Sequence, residues 1–241
     1  MLSPLRVAVV VAALIPTLTA IALADQLYGV AGEDTYRVGK DLGATHIVYQ
    51  GSERLTVARN SQGEHYVADV AYTRVDESGK ASVHASFVQE LLHDGTFEDR
   101  GDEDPDFLTI LNQPFAVQLD ATTLRDLERL QGMVPFEAAS PLGGSHLSGY
   151  LRSAPRGQVM GHDVVGVRFS AQGPMTGSLP QHPEALLTGT MRMNGTAYYA
   201  EKGALLLALD ATLTIEGKLQ SGHDSIPVEI VYHRSIRATQ P

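Results

Sequence analysis

The sequence predicts a mainly β protein: a large antiparallel curved sheet or open barrel, built of meander hairpins, with one principal helix packed on it. Three observations predict it. Glycine-closed hairpin loops recur along the chain, apolar and polar residues alternate with period two around them, and a single segment carries a full set of helix signals.

The loops come first. The stretches 60–64, 76–80 and 200–204 each place glycine (Gly63, Gly79, Gly203) third in a three-residue turn. That is the pattern of a type I turn followed by a left-handed residue, a position that disfavours residues with a Cβ.

The stretch 189–217 can be tested by counting. Pairing Ala200 with Ala204 sets Tyr199 opposite Leu205, Ala197 opposite Leu207, Gly195 opposite Leu209, Met193 opposite Ala211 and Met191 opposite Leu213. The alternate positions set Thr196, Asn194, Arg192 and Thr190 against Ala208, Asp210, Thr212 and Thr214. One face is apolar and the other almost wholly polar, and a slip of one residue mixes them. The same count pairs Val75 with Ala81, Thr73 with Val83 and Ala71 with Ala85, leaving Tyr72 opposite His84 and Val70 opposite Ser86 on the other face. At the first loop it pairs Val57 with Val67 and Ala58 with Tyr66. Together these predict a three-strand meander over 54–60, 65–75 and 81–88. Alternation at 46–49, 115–119, 165–169 and 228–232 brings the expected total to about nine to eleven strands.

The helix is predicted over 121–131. Asp120 or Thr122 caps it, Leu124, Leu127 and Leu130 share one face, and Gly132 stops it. A weaker helical signal lies at 88–93. The stretch 135–157, rich in Gly, Ser and Pro, reads as a long loop or irregular strand.

The ends and the composition place the chain. Arg6 precedes an uncharged apolar run from Val7 to Ala24 that ends in Ala22-Leu23-Ala24 before Asp25. This is the pattern of a signal peptide over 1–24, cleaved after Ala24, leaving a single β-rich exported domain over 25–241 in the periplasm or outside the cell. The alternative is an uncleaved N-terminal anchor in the inner membrane. The chain has no cysteine, so lipidation of a mature N-terminal cysteine, disulfides and thiolate metal sites are excluded. Its 18 basic and 28 acidic residues give a net charge of −10, which disfavours nucleic acid as a partner.

Chemical motifs are sparse. Asp102, Asp104 and Asp106 alternate like the start of a calcium loop, but Phe107 and Gln113 stand where its glycine and glutamate belong. The nine histidines (46, 65, 84, 93, 146, 162, 182, 223, 233) include no H-E-x-x-H or H-x-H pair, so no metal site is expected. Ser145 and His146 are adjacent but fit no nucleophile elbow. Asp94-Gly95-Thr96 reads as a turn. No phosphate-cradling loop is present, and neither catalytic residue nor cofactor is expected.

What remains is the apolar face. A long antiparallel sheet must cover its dry face, and one helix is little cover for nine or more strands. The expectation is a non-enzymatic carrier for a lipid or other hydrophobic ligand, its wall lined by Met191, Met193, Ala197, Leu205, Leu207, Leu209 and Leu213. The alternative is a structural or interaction module that holds an envelope protein through a sheet edge or the 135–157 stretch. An exported, cysteine-free sheet with few helices is similar in layout to the half-barrel lipoprotein carriers of the bacterial envelope. It departs from them in lacking a lipobox, and no site residue carries over.

Overall fold

The computed structural model describes residues 21–39, 44–59, 63–92, 97–101, 127, 129, 133–139, 146–179, 182–201, 206–221 and 224–239. Eleven strands account for nearly all of them: β1 (Ile21–Val38), β2 (Thr45–Arg59), β3 (Gly63–Asp76), β4 (Gly79–Leu92), β5 (Phe97–Gly101), β6 (Met133–Ala139), β7 (His146–Val159), β8 (His162–Leu179), β9 (His182–Ala200), β10 (Leu206–Ser221) and β11 (Asp224–Ala238).

They form one antiparallel sheet in the order β5-β4-β3-β2-β1-β11-β10-β9-β8-β7-β6. Two meanders, β1–β5 and β6–β11, therefore meet where the first strand pairs with the last. That seam is long, running from Tyr28 opposite Ala238 to Val38 opposite Val228. Both of its ends are clasped: Gly39 N–H donates to Pro227 O and Thr239 N–H to Leu27 O, each at 2.8 Å. The sheet is open, with β5 and β6 as its edges.

The expected antiparallel meander is thus present, with two corrections and, at 135–157, the strand alternative in place of the loop. The strand alternation continues through 88–92, which belongs to β4 and not to a helix. The 135–157 stretch is mostly strand, shared between β6 and β7. Residues 25–38, for which alternation predicts no element, form most of β1 beside the middle strand of the sheet, and β1 also takes in residues 21–24 of the expected signal peptide. Of the predicted helix only Leu127 and Arg129 are described, and Leu127 is buried in the core cluster. The strand expected at 115–119 lies outside the described residues, as do residues 1–20; cleavage after Ala24 would leave β1 beginning at Asp25.

The hairpin registers differ from the count in an instructive way. β9 and β10 pair Ala197 with Leu209, Gly195 with Ala211, Met193 with Leu213 and Met191 with Ile215, two residues away from the predicted partners. Leu206 opposite Tyr199 is already one residue off the count, and a bulge between Leu206 and Ala208 adds the second. A shift of two keeps every side chain on its face, so alternation alone cannot detect it.

At β3–β4 the shift is one residue: Val75 pairs with Lys80, Tyr72 with Val83 and Val70 with Ala85. The turn holds two residues, not three. The Asp76 carboxylate accepts hydrogen bonds from Ser78 N–H at 2.8 Å and from the Ser78 hydroxyl, and Gly79 takes the positive φ of 127°. Those bonds, with help from Arg74, hold the Asp76 carboxyl below its ordinary value. β2–β3 is likewise one residue off, with Val57 opposite Tyr66 and Ala58 opposite His65.

Alternation puts the core on one face. Residues from both meanders, among them Ile47, Tyr72, Leu147, Phe169, Leu187 and Ile230, join one buried cluster. Missing side chains let strands approach within it. A Cβ at Gly51 would run into the Ala71 carbonyl oxygen and lie 2.6 Å from Tyr72 Cα. Gly51→Ala should therefore destabilise by about 1–3 kcal/mol, as overpacking does. Urea unfolding checks this: the midpoint should fall at unchanged slope.

Candidate functional site

The residues expected to line an apolar wall lie on β9 and β10. Met191, Met193, Ala197, Leu207, Leu209 and Leu213 are all buried, none more than 3% exposed. Leu205 lies outside the described residues. At that exposure these side chains touch protein on every side, together with Ala211 and Ile215 beside them. The bulge at Leu206 puts four consecutive residues, Leu206 to Leu209, in the interior.

Burial on the same face falls off toward the flanks of the sheet. Val83 and Ala85 on β4, and Val134 on β6, are only partly buried, although they pack against the same cluster. Val83 stands opposite the buried Tyr72, and Val134 opposite the buried Leu151. The apolar face is therefore closed along much of β8–β11 and less fully covered at Val83, Ala85 and Val134, as it also is at Tyr36 and Val38 near one end of β1.

The interior also holds a polar cluster that the sequence reading missed. Asp34, Glu53, Gln26 and Arg234 are each no more than 5% exposed. Arg234 on β11 forms an ion pair with Asp34 on β1, with both side chains fully buried. Tyr49 donates its hydroxyl proton to the second Asp34 oxygen at 2.9 Å, and Tyr36 reaches that oxygen at 3.4 Å. Arg234 also donates to His233 O at 2.8 Å. Its guanidinium lies 4.9 Å from the Tyr49 ring centroid and 5.6 Å from that of Tyr232.

Gly32 makes room for this arrangement. It pairs with both Tyr49 and Arg234, and a Cβ there would come within 3.0 Å of the Arg234 side chain. The sequence did carry a signal. The alternation Val228, Ile230, Tyr232 continues to Arg234, which puts a charge at an inward position. Such a charge needs a buried partner.

A second group lies nearer the other end of β1. Tyr28, opposite Glu53 in the register, donates to Leu206 O at 2.9 Å. Burial first, then the Glu53 charge and Tyr199, push the Tyr28 phenol far above its ordinary value. Burial alone raises Tyr199. For Tyr232, burial leads, Tyr36 and Asp34 add to it, and Arg234 opposes it.

The remaining motifs assemble nothing. The acidic run around Asp102, Asp104 and Asp106 lies outside the described residues, as do Ser145 and Asp94-Gly95-Thr96. Among the described residues no three His, Asp or Glu side chains gather to hold a metal ion. An open groove of about 480 Å³ runs over β2, β3 and β4 around Gly51, lined by Gln50, Ser52, Tyr72, Thr73, Ser82, Val83 and His84 among others.

No family model matches this sequence, and no curated protein matches it. Among solved structures, it is similar at 9% identity to DynF from the dynemicin biosynthesis pathway of Micromonospora chersina, over 91% of this chain and 85% of that one. The TM-score of 0.25 is too low for that likeness to carry any argument.

Two predictions follow from the buried polar groups. Arg234→Met or Asp34→Leu alone leaves a stranded charge and should cost about 3–5 kcal/mol, whereas the double variant should recover most of that loss; a double-mutant cycle by urea unfolding measures both. Tyr28, Tyr199 and Tyr232 have folded-state values raised above the ordinary 10.0. Their contribution to stability is therefore complete below pH 10 and lost as pH rises through the folded values. Phenolate absorbance of these three should appear only together with alkaline unfolding.

Proposed function

We propose that the chain is an exported, non-enzymatic binding protein for a lipid or other hydrophobic ligand. The ligand lies against the apolar face of the sheet at its open flanks. One observation carries this reading: the same face that is packed to near-zero exposure on β8–β11 leaves Val83, Ala85 and Val134 partly buried beside the two unpaired edges. Apolar side chains of that kind gain about 25 cal/mol for each Å² covered, so a greasy molecule entering at the flanks is stabilised without disturbing the packed centre.

Met191, Met193, Leu209 and Leu213 belong to the same buried cluster that the flank residues pack against. Its methionines can adjust their shape as the flank fills. The apolar N-terminal run and the absence of cysteine support a periplasmic or secreted location.

An interaction module of the envelope is the second reading, favoured by β6 as an edge strand. Pro135 removes one backbone donor from that strand, which weakens it as a template for an added partner strand.

Native mass spectrometry of residues 25–241, purified from a bacterial periplasm without detergent, tests the carrier reading. The expected result is an additional mass removed by organic extraction and reduced in the Val83→Asp and Val134→Asp variants. An unliganded mass that stays unchanged after incubation with envelope lipids overturns it, and a co-purifying protein in its place favours the interaction module.

A further inference from the structure

On the outer face of β7 and β8, Arg152 and Arg168 stand directly opposite one another in the register. Both are exposed. Directly opposed positions in an antiparallel pair have Cβ atoms about 5 Å apart, and like charges placed there repel. The neighbours across the flanking strands are Met133 beside Arg152 and Thr196 beside Arg168. Among the described residues, no carboxylate is within ion-pair distance of either arginine. The outward acid of β6, Glu137, stands opposite Ser148, well along the strand from Arg152.

The opposition of two arginines is what sets them apart, since the exposed Arg237 also has no carboxylate within ion-pair distance among the described residues but stands opposite Gly29 and Ala208. Acidic residues outnumber basic ones by 28 to 18, and Arg37, Arg74, Arg156 and Arg192 are each held by a carboxylate between 2.7 and 3.1 Å away. An arginine pair set side by side without an acid, on a chain of net charge −10, is an unbalanced positive site in a negative surround. Guanidinium groups bind oxyanions through paired N–H donors, and two of them converging suit a doubly charged group better than a single carboxylate.

The surroundings add a second requirement. Met133 is 52% exposed and Tyr150 is 50% exposed, both on the same face as the arginines. Tyr150 lies opposite Pro135 on one side and Ser170 on the other. Met133, Pro135 and Tyr150 form an apolar shoulder beside the arginine pair, and the Ser170 and Thr196 hydroxyls lie next to it. Cationic and apolar halves side by side match a molecule with the same two halves.

We infer that Arg152 and Arg168 form a binding site for the phosphate group of an amphiphilic phosphate compound, whose apolar portion rests on Met133 and Tyr150. The site is on the face opposite the apolar core, so it goes beyond the carrier reading and stands or falls independently of it. The phosphate is either that of a lipid headgroup or that of a free phosphate compound.

NMR titration of residues 25–241 with inorganic phosphate, followed by flotation with phosphatidylcholine vesicles with and without phosphatidylglycerol, tests the site. Arg152→Gln and Arg168→Gln serve as variants. Each should fold with unchanged or slightly higher stability, because removing one charge relieves the repulsion. Phosphate should shift the resonances of Arg152, Arg168 and Tyr150, and each variant should bind about tenfold more weakly or worse. Flotation only with phosphatidylglycerol, abolished in both variants, assigns the phosphate to a lipid; a phosphate response without flotation assigns it to a soluble compound. Equal phosphate binding by wild type and variants overturns the proposal, as does a loss of stability in the variants, which would make the arginines structural. Val83→Asp should leave the phosphate response unaltered, which separates this outcome from that of the apolar flank.

Discussion

The fold turns on one contact between residues 200 positions apart: the ion pair of Asp34 and Arg234 inside the seam of β1 and β11. Each meander is held together by local hairpins, but only the seam joins them into one sheet. A fully buried pair does not add much net stability, because taking both charges out of water offsets their attraction. What it does is specify. A seam shifted by one residue would send Arg234 outward and strand Asp34 in an apolar interior. Tyr49 and Tyr36 on the carboxylate, and the space left by Gly32, tie the registers of β1, β2 and β11 to the same point.

Faces were legible in the sequence and registers were not, for a physical reason. Side chains repeat every two residues along a strand, so alternation fixes parity and nothing finer. At the β9–β10 hairpin the actual register differs by two, and Met191, Met193, Leu209 and Leu213 stay on the expected face. At β3–β4 the Asp76 side chain satisfies the turn with one residue fewer, and the parity itself changes. A glycine at the third position is compatible with both turns. β1 was not legible because its inward positions run Tyr28, Val30, Gly32, Asp34, where a glycine and a carboxylate break the apolar period. The candidate site was half legible for the same reason. The wall could be listed from alternation, whereas the partly buried flanks depend on which strands end the sheet.

The two faces of the sheet divide the chemistry. Inside, strongly perturbed phenols and one ion pair are surrounded by aliphatic side chains packed to near-zero exposure. Outside, carboxylates and guanidiniums pair across neighbouring strands, with Arg192 gripping both oxygens of Glu216 at 2.9 and 3.2 Å. Exposed pairs of this kind contribute little to stability. They balance charge where they form, and the opposed arginines on β7 and β8 have no such pair among the described residues.

The placement of β1 also dictates an order of events. Among the described strands it is the first to be synthesised, yet one of its two neighbours is the last. Its carboxylate at Asp34 has no cation to meet until Arg234, near the end of the chain, has been made. Loop-closure entropy and the large sequence separation make that encounter slow compared with the hairpins. The incomplete chain thus holds two half-sheets with exposed seam edges, open to holding factors and to aggregation alike. The pairing of β11 with β1 is what commits the molecule to its native state.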